Sequence, residues 1–182
     1  QSRDPIVIGT ALVQQLQSVV SRNTPPTKPV VLSVTTFNAG SAYNVVPGSA
    51  TITGTVRYFH DEVIEMVSTR IRELCAGLAQ AYGIEIEVDI RNVFDVLMND
   101  PELSEAYVAA ASDVVGPGAS LTDEQATGSE DFADMLKVVP GAYCRVGHAG
   151  SIPLHNPAFV LDDAILPVGA SVYARIVETR LP

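Results

Sequence analysis

The sequence predicts a mixed α/β protein: residues 1–92 form an α+β region, and residues 93–182 form part of an α/β domain. Three observations indicate this class. Apolar residues recur at helical spacing in several stretches, and short β-branched runs lie between them. Glycine and proline clusters mark the turns. The hydrophobic fraction of 47% and the charged fraction of 18% indicate a folded chain with a sizeable core.

The first region reads helix, strand, strand, helix, strand. The predicted elements are a helix from Asp4-Pro5 to Arg22-Asn23, strands over 30–37 and 50–59, a helix from Asp61 that Gly83 ends, and a strand over 84–90. This order is a β-α-β-β-α-β two-layer sandwich with an antiparallel sheet that lacks its first strand. Because that strand is usually central, we expect a gap in the sheet and a chain cut from something larger.

The second region is also mixed. The predicted elements are a helix from Asp100-Pro101-Glu102 to about 115, a short strand over 121–126, a short helix from 128–132 to about 138, a buried strand within 140–147, and a last helix from Asp162-Asp163 to about 179. In the short helix Ser129 is the expected N-cap.

Composition excludes several classes of function. A net charge of −10 with 11 scattered basic residues argues against a nucleic-acid partner. No apolar run has the length of a membrane span. Two cysteines at unrelated spacing favour free thiols in a reducing compartment, so we expect a cytoplasmic protein. Neither a phosphate-binding glycine loop nor a nucleophile elbow is present.

His155 is the candidate metal ligand. It lies between two prolines in Pro153-Leu154-His155-Asn156-Pro157, which restrict the backbone on both sides. Neutral imidazole suits zinc, cobalt, nickel or manganese. A loop histidine without a task is the alternative. One ligand does not make a site, so other donors would have to lie outside this chain.

The Gly128-Ser129-Glu130-Asp131-Phe132 segment is a candidate for substrate binding. Backbone N–H groups at a helix start can receive a carboxylate or an oxyanion. Capping by Ser129, with acids in the first turn, explains the same residues without a ligand. Both interpretations can hold together.

Asn44 and Arg57 are a further candidate pair. Arginine binds carboxylates with two hydrogen bonds, and an asparagine amide can polarise a carbonyl oxygen. Both could reach one anionic ligand. Turn chemistry for Asn44 and a surface charge for Arg57 are the alternatives.

Taken in order, these pieces resemble the metal-dependent amidohydrolase family of hippurate hydrolase, plant auxin-conjugate hydrolases and bacterial N-acyl-amino-acid deacylases. The matching stretches are Asp4-Pro5-Ile6-Val7, Ser21-Arg22-Asn23, Ala42-Tyr43-Asn44-Val45-Val46-Pro47, Gly54-Thr55-Val56-Arg57, Asn99-Asp100-Pro101-Glu102-Leu103, Gly128-Ser129-Glu130-Asp131-Phe132, Pro140-Gly141-Ala142 and Pro153-Leu154-His155-Asn156-Pro157. They cover nearly the whole chain.

The resemblance implies that residues 1–92 are a lid or dimerisation domain and that residues 93–182 are the C-terminal part of a catalytic domain. It implies a missing N-terminal portion with the general base and most metal ligands. His155 would be the last metal ligand, and Asn44 and Arg57 would reach the substrate, often across a dimer interface. Asn38 departs from relatives that carry histidine there.

The implied enzyme uses two divalent ions, zinc, manganese, cobalt or nickel, to activate water against the amide of an N-acyl amino acid. Arg57 would hold the substrate carboxylate. These ions belong to the intact enzyme, and this chain alone need not bind one. The implied partners are the N-terminal portion and a second copy in a homodimer formed through the lid.

Two other hypotheses stay open. A non-catalytic α+β dimerisation or interaction module would explain the first region without chemistry. A different metal enzyme with all its ligands in this chain would need His60 or His148 beside His155.

Overall fold

The computed structural model describes residues 2–118, 125–148, 150 and 152–181. The chain divides into two compact units, Gln1–Val96 and Leu97–Pro182. The described residues contain helices and a two-stranded antiparallel sheet, which confirms the mixed class. Within them, no helix combines the length and the apolar character that a transmembrane span needs.

Helix α1, Pro5–Ser18, opens the first unit where the sequence predicts it. The Asp4 carboxylate accepts a hydrogen bond of 2.9 Å from the backbone N–H of Ile6, and Pro5 occupies the first turn. The helix continues into a π-helical turn, Val19–Asn23, that the sequence pattern does not predict. Thr24 is extended, as a residue before proline prefers, and the helix ends there.

The sheet pairs β1, Val30–Ala39, with β2, Ala50–Tyr58, in antiparallel register from Val30 opposite Tyr58 to Ala39 opposite Ala50. Helix α2, Asp61–Tyr82, follows β2. Gly83 ends it with a φ of 62°, a conformation that favours glycine and that the sequence predicts at this position.

Both helices pack on one face of this sheet. One buried cluster joins Leu12 and Leu16 of α1 to Cys75 and Leu78 of α2. A second cluster joins Val19, Val30, Val63 and Val67. Gly9 allows the close approach of α1 to the strands, because a Cβ there would lie 2.6 Å from Cζ of Phe37.

The second unit is built on helices α3, Pro101–Val115, α4, Phe132–Leu136, and α5, Ile165–Arg180. Asp100 caps α3 as predicted, since its carboxylate accepts from the N–H of Leu103 at 3.0 Å. Helices α3 and α5 contact each other through the edge-to-face rings of Tyr107 and Tyr173, 6.2 Å apart, and through an ion pair of Arg175 with Asp113 at 2.8 Å.

Two predicted strands are wrong. Residues 84–90 and 140–147 form no ladder, because no described segment pairs with them, and a strand exists only beside a partner. The 140–147 stretch is also not buried, since Cys144 and Val146 are exposed. The predicted strand over 121–126 falls mostly outside the described residues, and its last two residues are irregular.

Candidate functional site

His155 lies at the corner of two consecutive turns. The N–H of Asn156 donates to the carbonyl of Pro153 at 3.3 Å, which closes a turn around Leu154 and His155. His155 has a φ of 67°, and no other described non-glycine residue has a positive φ. A positive φ at the third position of such a turn usually belongs to glycine or asparagine, so the imidazole stands on a strained backbone.

A second turn, from Asn156 to Phe159, follows His155 directly. The side-chain oxygen of Asn156 accepts from the N–H of Ala158 at 2.9 Å, and its carbonyl accepts from the N–H of Phe159 at 2.9 Å. Pro157 fixes φ inside this turn. The His155 side chain is exposed, so the loop presents an imidazole outward on a backbone with little freedom.

His148 does not face solvent in the same way. Its ring packs edge-on against Phe159, with centroids 5.4 Å apart, and its Nδ1 accepts from the N–H of Gly150 at 3.2 Å. It lines a depression of about 250 Å³ with Gly150, Ile152, Ala158 and Val160. We therefore assign His148 to the packing of this loop.

Gly128, Ser129 and Glu130 precede helix α4 instead of opening it. The helix begins at Phe132 with Asp131 at the N-cap position, and that cap makes no side-chain hydrogen bond. The expected capping by Ser129 is therefore wrong. Five residues also make too short a helix for a strong dipole.

A contact that the sequence did not predict fixes the segment. A hydrogen bond from the Tyr143 hydroxyl, followed by one involving Asp131, holds the pKa of the Glu130 carboxyl below its usual range. The same hydrogen bond raises the pKa of Tyr143. The Tyr143 ring also packs on Phe132, with centroids 5.7 Å apart. The segment therefore presents an ionised carboxylate held by a phenol.

Asn99 in turn positions Tyr143. Its amide nitrogen donates to the Tyr143 carbonyl at 2.9 Å, and its amide oxygen accepts from the Tyr143 N–H at 2.8 Å. The N–H of Asp100 donates to the carbonyl of Gly141 at 2.9 Å. A cavity of about 240 Å³ lies here, lined in part by Asn99 and Gly141. The signal in the sequence was the Asn99-Asp100-Pro101 stretch, from which only the helix start at Asp100 was predicted.

Asn44 and Arg57 lie at opposite ends of the β1–β2 hairpin. Asn44 is exposed in the loop that follows Ala39, while Arg57 lies opposite Val31 near the other end. Arg57 lies seven positions after Ala50, which is about 23 Å along a strand. This register gives no support to the two side chains holding one small anion within a single chain.

The described residues contain no group of three or more His, Cys, Asp and Glu side chains that could hold a metal ion. Cys75 is buried, and burial raises the pKa of its thiol, which disfavours a thiolate ligand. Within the described residues His155 therefore belongs to no group of three or more such donors. The hypothesis of a complete metal site with His60 or His148 gains no support.

Comparison with known proteins identifies the family. The profile of peptidase family M20/M25/M40 matches residues 5–179. The chain belongs to this family. The resemblance that the sequence motifs indicated is thereby confirmed, and the chain falls among hydrolases of the peptidase and amidohydrolase type.

Two relatives match nearly the whole chain. The hippurate hydrolase of Campylobacter jejuni is 34% identical over 177 residues, which are 97% of this chain and 46% of that protein. The N-acetylcysteine deacetylase of Bacillus subtilis is 34% identical over 175 residues, which are 96% of this chain and 46% of that protein. The chain spans about half the length of the relatives that it matches.

Solved structures agree. A dinuclear metal-binding peptidase of the M20 family from Bacillus subtilis matches with a TM-score of 0.73 at 29% identity, over 98% of this chain and 46% of that one. A protein from methicillin-resistant Staphylococcus aureus matches with a TM-score of 0.80 at 30% identity, over 96% of this chain and 45% of that one. Again the match covers less than half of the longer protein.

Proposed function

We propose that the chain is the C-terminal part of a metal-dependent amidohydrolase that cleaves the amide bond of N-acyl amino acids or small peptides. One observation carries the proposal. Hippurate hydrolase and N-acetylcysteine deacetylase, both 34% identical to this chain over nearly its whole length, each act on an acyl group attached to the nitrogen of an amino acid. A shared substrate class in two separate relatives supports the same class here.

His155 is the ligand that we assign to this chain. Its imidazole is exposed and lies on a turn with a positive φ, which suits a metal ligand whose partner ligands come from elsewhere in the protein. Because the described residues form no metal site by themselves, we place the remaining donors for two divalent ions in an N-terminal portion. The chain alone is then inactive. Zinc, manganese, cobalt and nickel all suit an imidazole donor.

Arg57 and Asn44 are the proposed lid contacts of residues 1–92, and Gly128, Ser129 and Glu130 line the substrate cleft in the catalytic part, residues 93–182. Arg57 holds the substrate carboxylate through paired hydrogen bonds. Asn44 donates its amide to the acyl oxygen. Because the hairpin separates these two, we propose a homodimer through the first unit, in which each substrate meets Arg57 of one copy and Asn44 of the other.

The metal assignment is tested on the full-length protein. We expect His155→Ala to lower the kcat/KM for hippurate and for N-acetylcysteine by about 100-fold or more, because losing a ligand weakens the metal and its water. Metal content, measured by plasma mass spectrometry, falls with it. The matched control is His60→Ala, which we expect to keep both within twofold. Full metal content and activity in His155→Ala would remove the assignment.

The role of Arg57 is tested by changing the substrate. We expect Arg57→Ala to raise the KM for hippurate by about tenfold or more while leaving the KM for hippuramide, whose carboxylate is an amide, nearly unchanged. Arg91→Ala is the control, since Arg91 pairs with Asp89 on the surface. An equal effect on both substrates would show that Arg57 does not bind the carboxylate.

A non-catalytic dimerisation module is the second candidate, because both buried clusters lie in the first unit and need no catalytic partner. Size-exclusion chromatography with light scattering on the 182-residue chain separates the candidates. The module is favoured if the 182-residue chain is a dimer and the full-length protein neither binds metal nor hydrolyses an N-acyl amino acid.

We place the protein in the cytoplasm. Cys75 and Cys144 are free thiols, as a reducing compartment maintains them. Fractionation of cells followed by immunoblotting tests this location, and recovery with secreted proteins would contradict it.

A further inference from the structure

The loop that carries His155 also forms a depression with an apolar lining. Its volume is about 250 Å³, and its lining residues are His148, Gly150, Ile152, Ala158 and Val160. This set contains no acid, lysine or arginine, and the side chains of Ile152 and Val160 are exposed to solvent. Apolar side chains grouped around a concave surface are typical of a site for a small ligand.

Contacts within the loop fix one wall of this depression. The His148 ring packs edge-on against Phe159, which is itself half-buried, and its Nδ1 accepts from the N–H of Gly150 at 3.2 Å. A Cβ at Gly150 would lie 2.8 Å from Nδ1 and closer still to Cε1 of His148, so only glycine leaves room for the ring. The imidazole is therefore held as a wall by a neighbour below it and a glycine beside it.

The depression lies beside His155 along the chain. Ile152 precedes His155 by three residues, and Ala158 follows it by three. Chain length alone places each of these Cα atoms within about 11 Å of the His155 Cα. If His155 holds a metal at the scissile amide, as the proposed function has it, the acyl group attached to that carbonyl lies close to this lining. The inference rests on the proposed function in this step.

The size and the chemistry of the depression favour a particular acyl group. An apolar cavity of about 150 Å³ holds a benzene molecule, so a depression of about 250 Å³ admits an aromatic ring together with its carbonyl group. An acetyl group would leave most of this volume to water. A charged acyl group would lose hydration without an ion-pair partner among the lining residues. An aromatic ring can also make an edge contact with the imidazole of His148.

We propose that this depression is the acyl pocket of the enzyme and that it selects an aromatic acyl group, such as benzoyl, over acetyl. Ile152, Ala158 and Val160 contact the ring, and His148 is the aromatic wall. Gly150 is a positioning residue, because it acts on the substrate only through the place that it gives to His148.

Filling the pocket tests the proposal on the full-length protein. Hippurate and N-acetylglycine share their glycine and carboxylate, so they differ only in the acyl group. We expect Ala158→Leu to lower the kcat/KM for hippurate by about 10- to 200-fold, the range that one methylene can produce in an apolar pocket. The kcat/KM for N-acetylglycine should change by less than threefold, which also shows that the variant folds. Ala76→Leu, the same change at an exposed position of α2, is the control and should alter neither.

The aromatic wall has a test of its own. His148→Phe keeps a ring and should hold the kcat/KM for hippurate within threefold, while His148→Ala should lower it at least tenfold. Gly150→Ala should resemble His148→Ala, because the added Cβ displaces the ring. A merely structural role of this loop would lower the values for hippurate and N-acetylglycine to the same extent in all three variants, and that result would overturn the proposal.

A binding measurement separates the pocket from the hydrolase assignment. With ¹³C-labelled histidine in the full-length protein, we expect benzamide to shift the His148 ring signals, which are assigned by their absence in His148→Phe. Acetamide should not shift them, and Ala158→Leu should remove the effect of benzamide. Benzamide binding at His148 without hydrolysis of either acylglycine would support the pocket and contradict the proposed function. Unshifted His148 signals, or equal losses for both acylglycines in Ala158→Leu, would overturn the pocket while the hydrolase assignment stands.

Discussion

The two units of this chain bury their apolar residues to very different degrees. In the first unit two buried clusters form from both helices, the π-helical turn and β1, and side chains of β2 pack against them; Val19 and Val67 are fully inaccessible. In the described part of the second unit, the buried apolar residues are Ala110, Ala133 and Val172. Larger side chains there, such as Leu166 and Tyr173, remain more than half exposed.

The difference separates a unit whose helices pack on a two-stranded sheet from a unit in which the described residues form helices and no strand. The first unit keeps its helix layer and can bury a core with two strands. A helix is stabilised when its apolar face packs on a sheet or on other helices, and among the described residues α3 and α5 bury only Ala110 and Val172. We therefore expect burial to contribute less stability to the described part of the second unit than to the first.

The thiols report this contrast most sharply. Cys75 lies in the buried cluster of the first unit, with a pKa that burial raises, and Cys144 is exposed in the second. With Ellman's reagent in native buffer, we expect Cys144 to react at least about 100-fold faster than Cys75, which reacts only when its unit opens. Cys144→Ser should remove the fast phase. Equal rates in native buffer would mean that the first unit has no stable core.

A pair of identical substitutions measures the core itself. Val67 is 0% exposed in α2, whereas Val7 on α1 is 56% exposed. We expect Val67→Ala to lower the free energy of unfolding of the first unit by about 2 kcal/mol, because two buried methyl groups leave a cavity. Val7→Ala should change it by less than about 0.5 kcal/mol. Urea unfolding followed by circular dichroism tests both, and similar losses would contradict the clusters described here.

In the second unit the loops are held by polar contacts more than by burial. Asn99→Ala removes both hydrogen bonds to the Tyr143 backbone, worth about 1 kcal/mol together at an exposed position, so hydrogen exchange over 128–146 should accelerate about fivefold. Asn99→Asp keeps the acceptor and should have roughly half the effect in free energy. Asn92→Ala, in the first unit, is the control. An unchanged exchange rate in Asn99→Ala would show that the segment is held by other contacts.

Local signals in the sequence predicted most of the first unit. Asp4 and Asp100 before prolines marked helix starts, Gly83 marked a helix end, and the β-branched runs marked both strands of the hairpin. Each depends on residues within a few positions of one another. The π-helical turn was not predicted, because its apolar spacing also fits an α-helix.

Long-range pairing explains the errors. The strand pattern in 84–90 is real in its burial, but a ladder needs a partner that the described residues do not supply. For the candidate site, His155 and the 128–130 segment could be singled out by motif. Their surroundings could not, because the contact of Glu130 with Tyr143 joins two segments that no local sequence pattern connects. Nor does spacing reveal that the hairpin separates Asn44 from Arg57.

The smallest expected effect concerns that same contact. Tyr143→Phe removes the hydroxyl that lowers the Glu130 pKa, so the pKa of the carboxyl should rise toward that of an ordinary glutamate, with a residual lowering from Asp131. Carbon-detected NMR of the Glu130 carboxyl measures this pKa.

The lowered pKa also makes stability depend on pH. It stabilises the folded form at pH values above the pKa of the unfolded chain, and this contribution is lost as the pH falls through the pKa of the folded form. Exchange over 128–146 should therefore depend less on pH in the acidic range, below the pKa of an unfolded glutamate, in the variant than in the parent. Tyr43→Phe, at a fully exposed ring in the first unit, should alter neither. If the Glu130 pKa is the same in Tyr143→Phe as in the parent, a group other than the Tyr143 hydroxyl holds the carboxylate. The contacts from Asn99 through Tyr143 to Glu130 would then not be what holds this loop of the second unit.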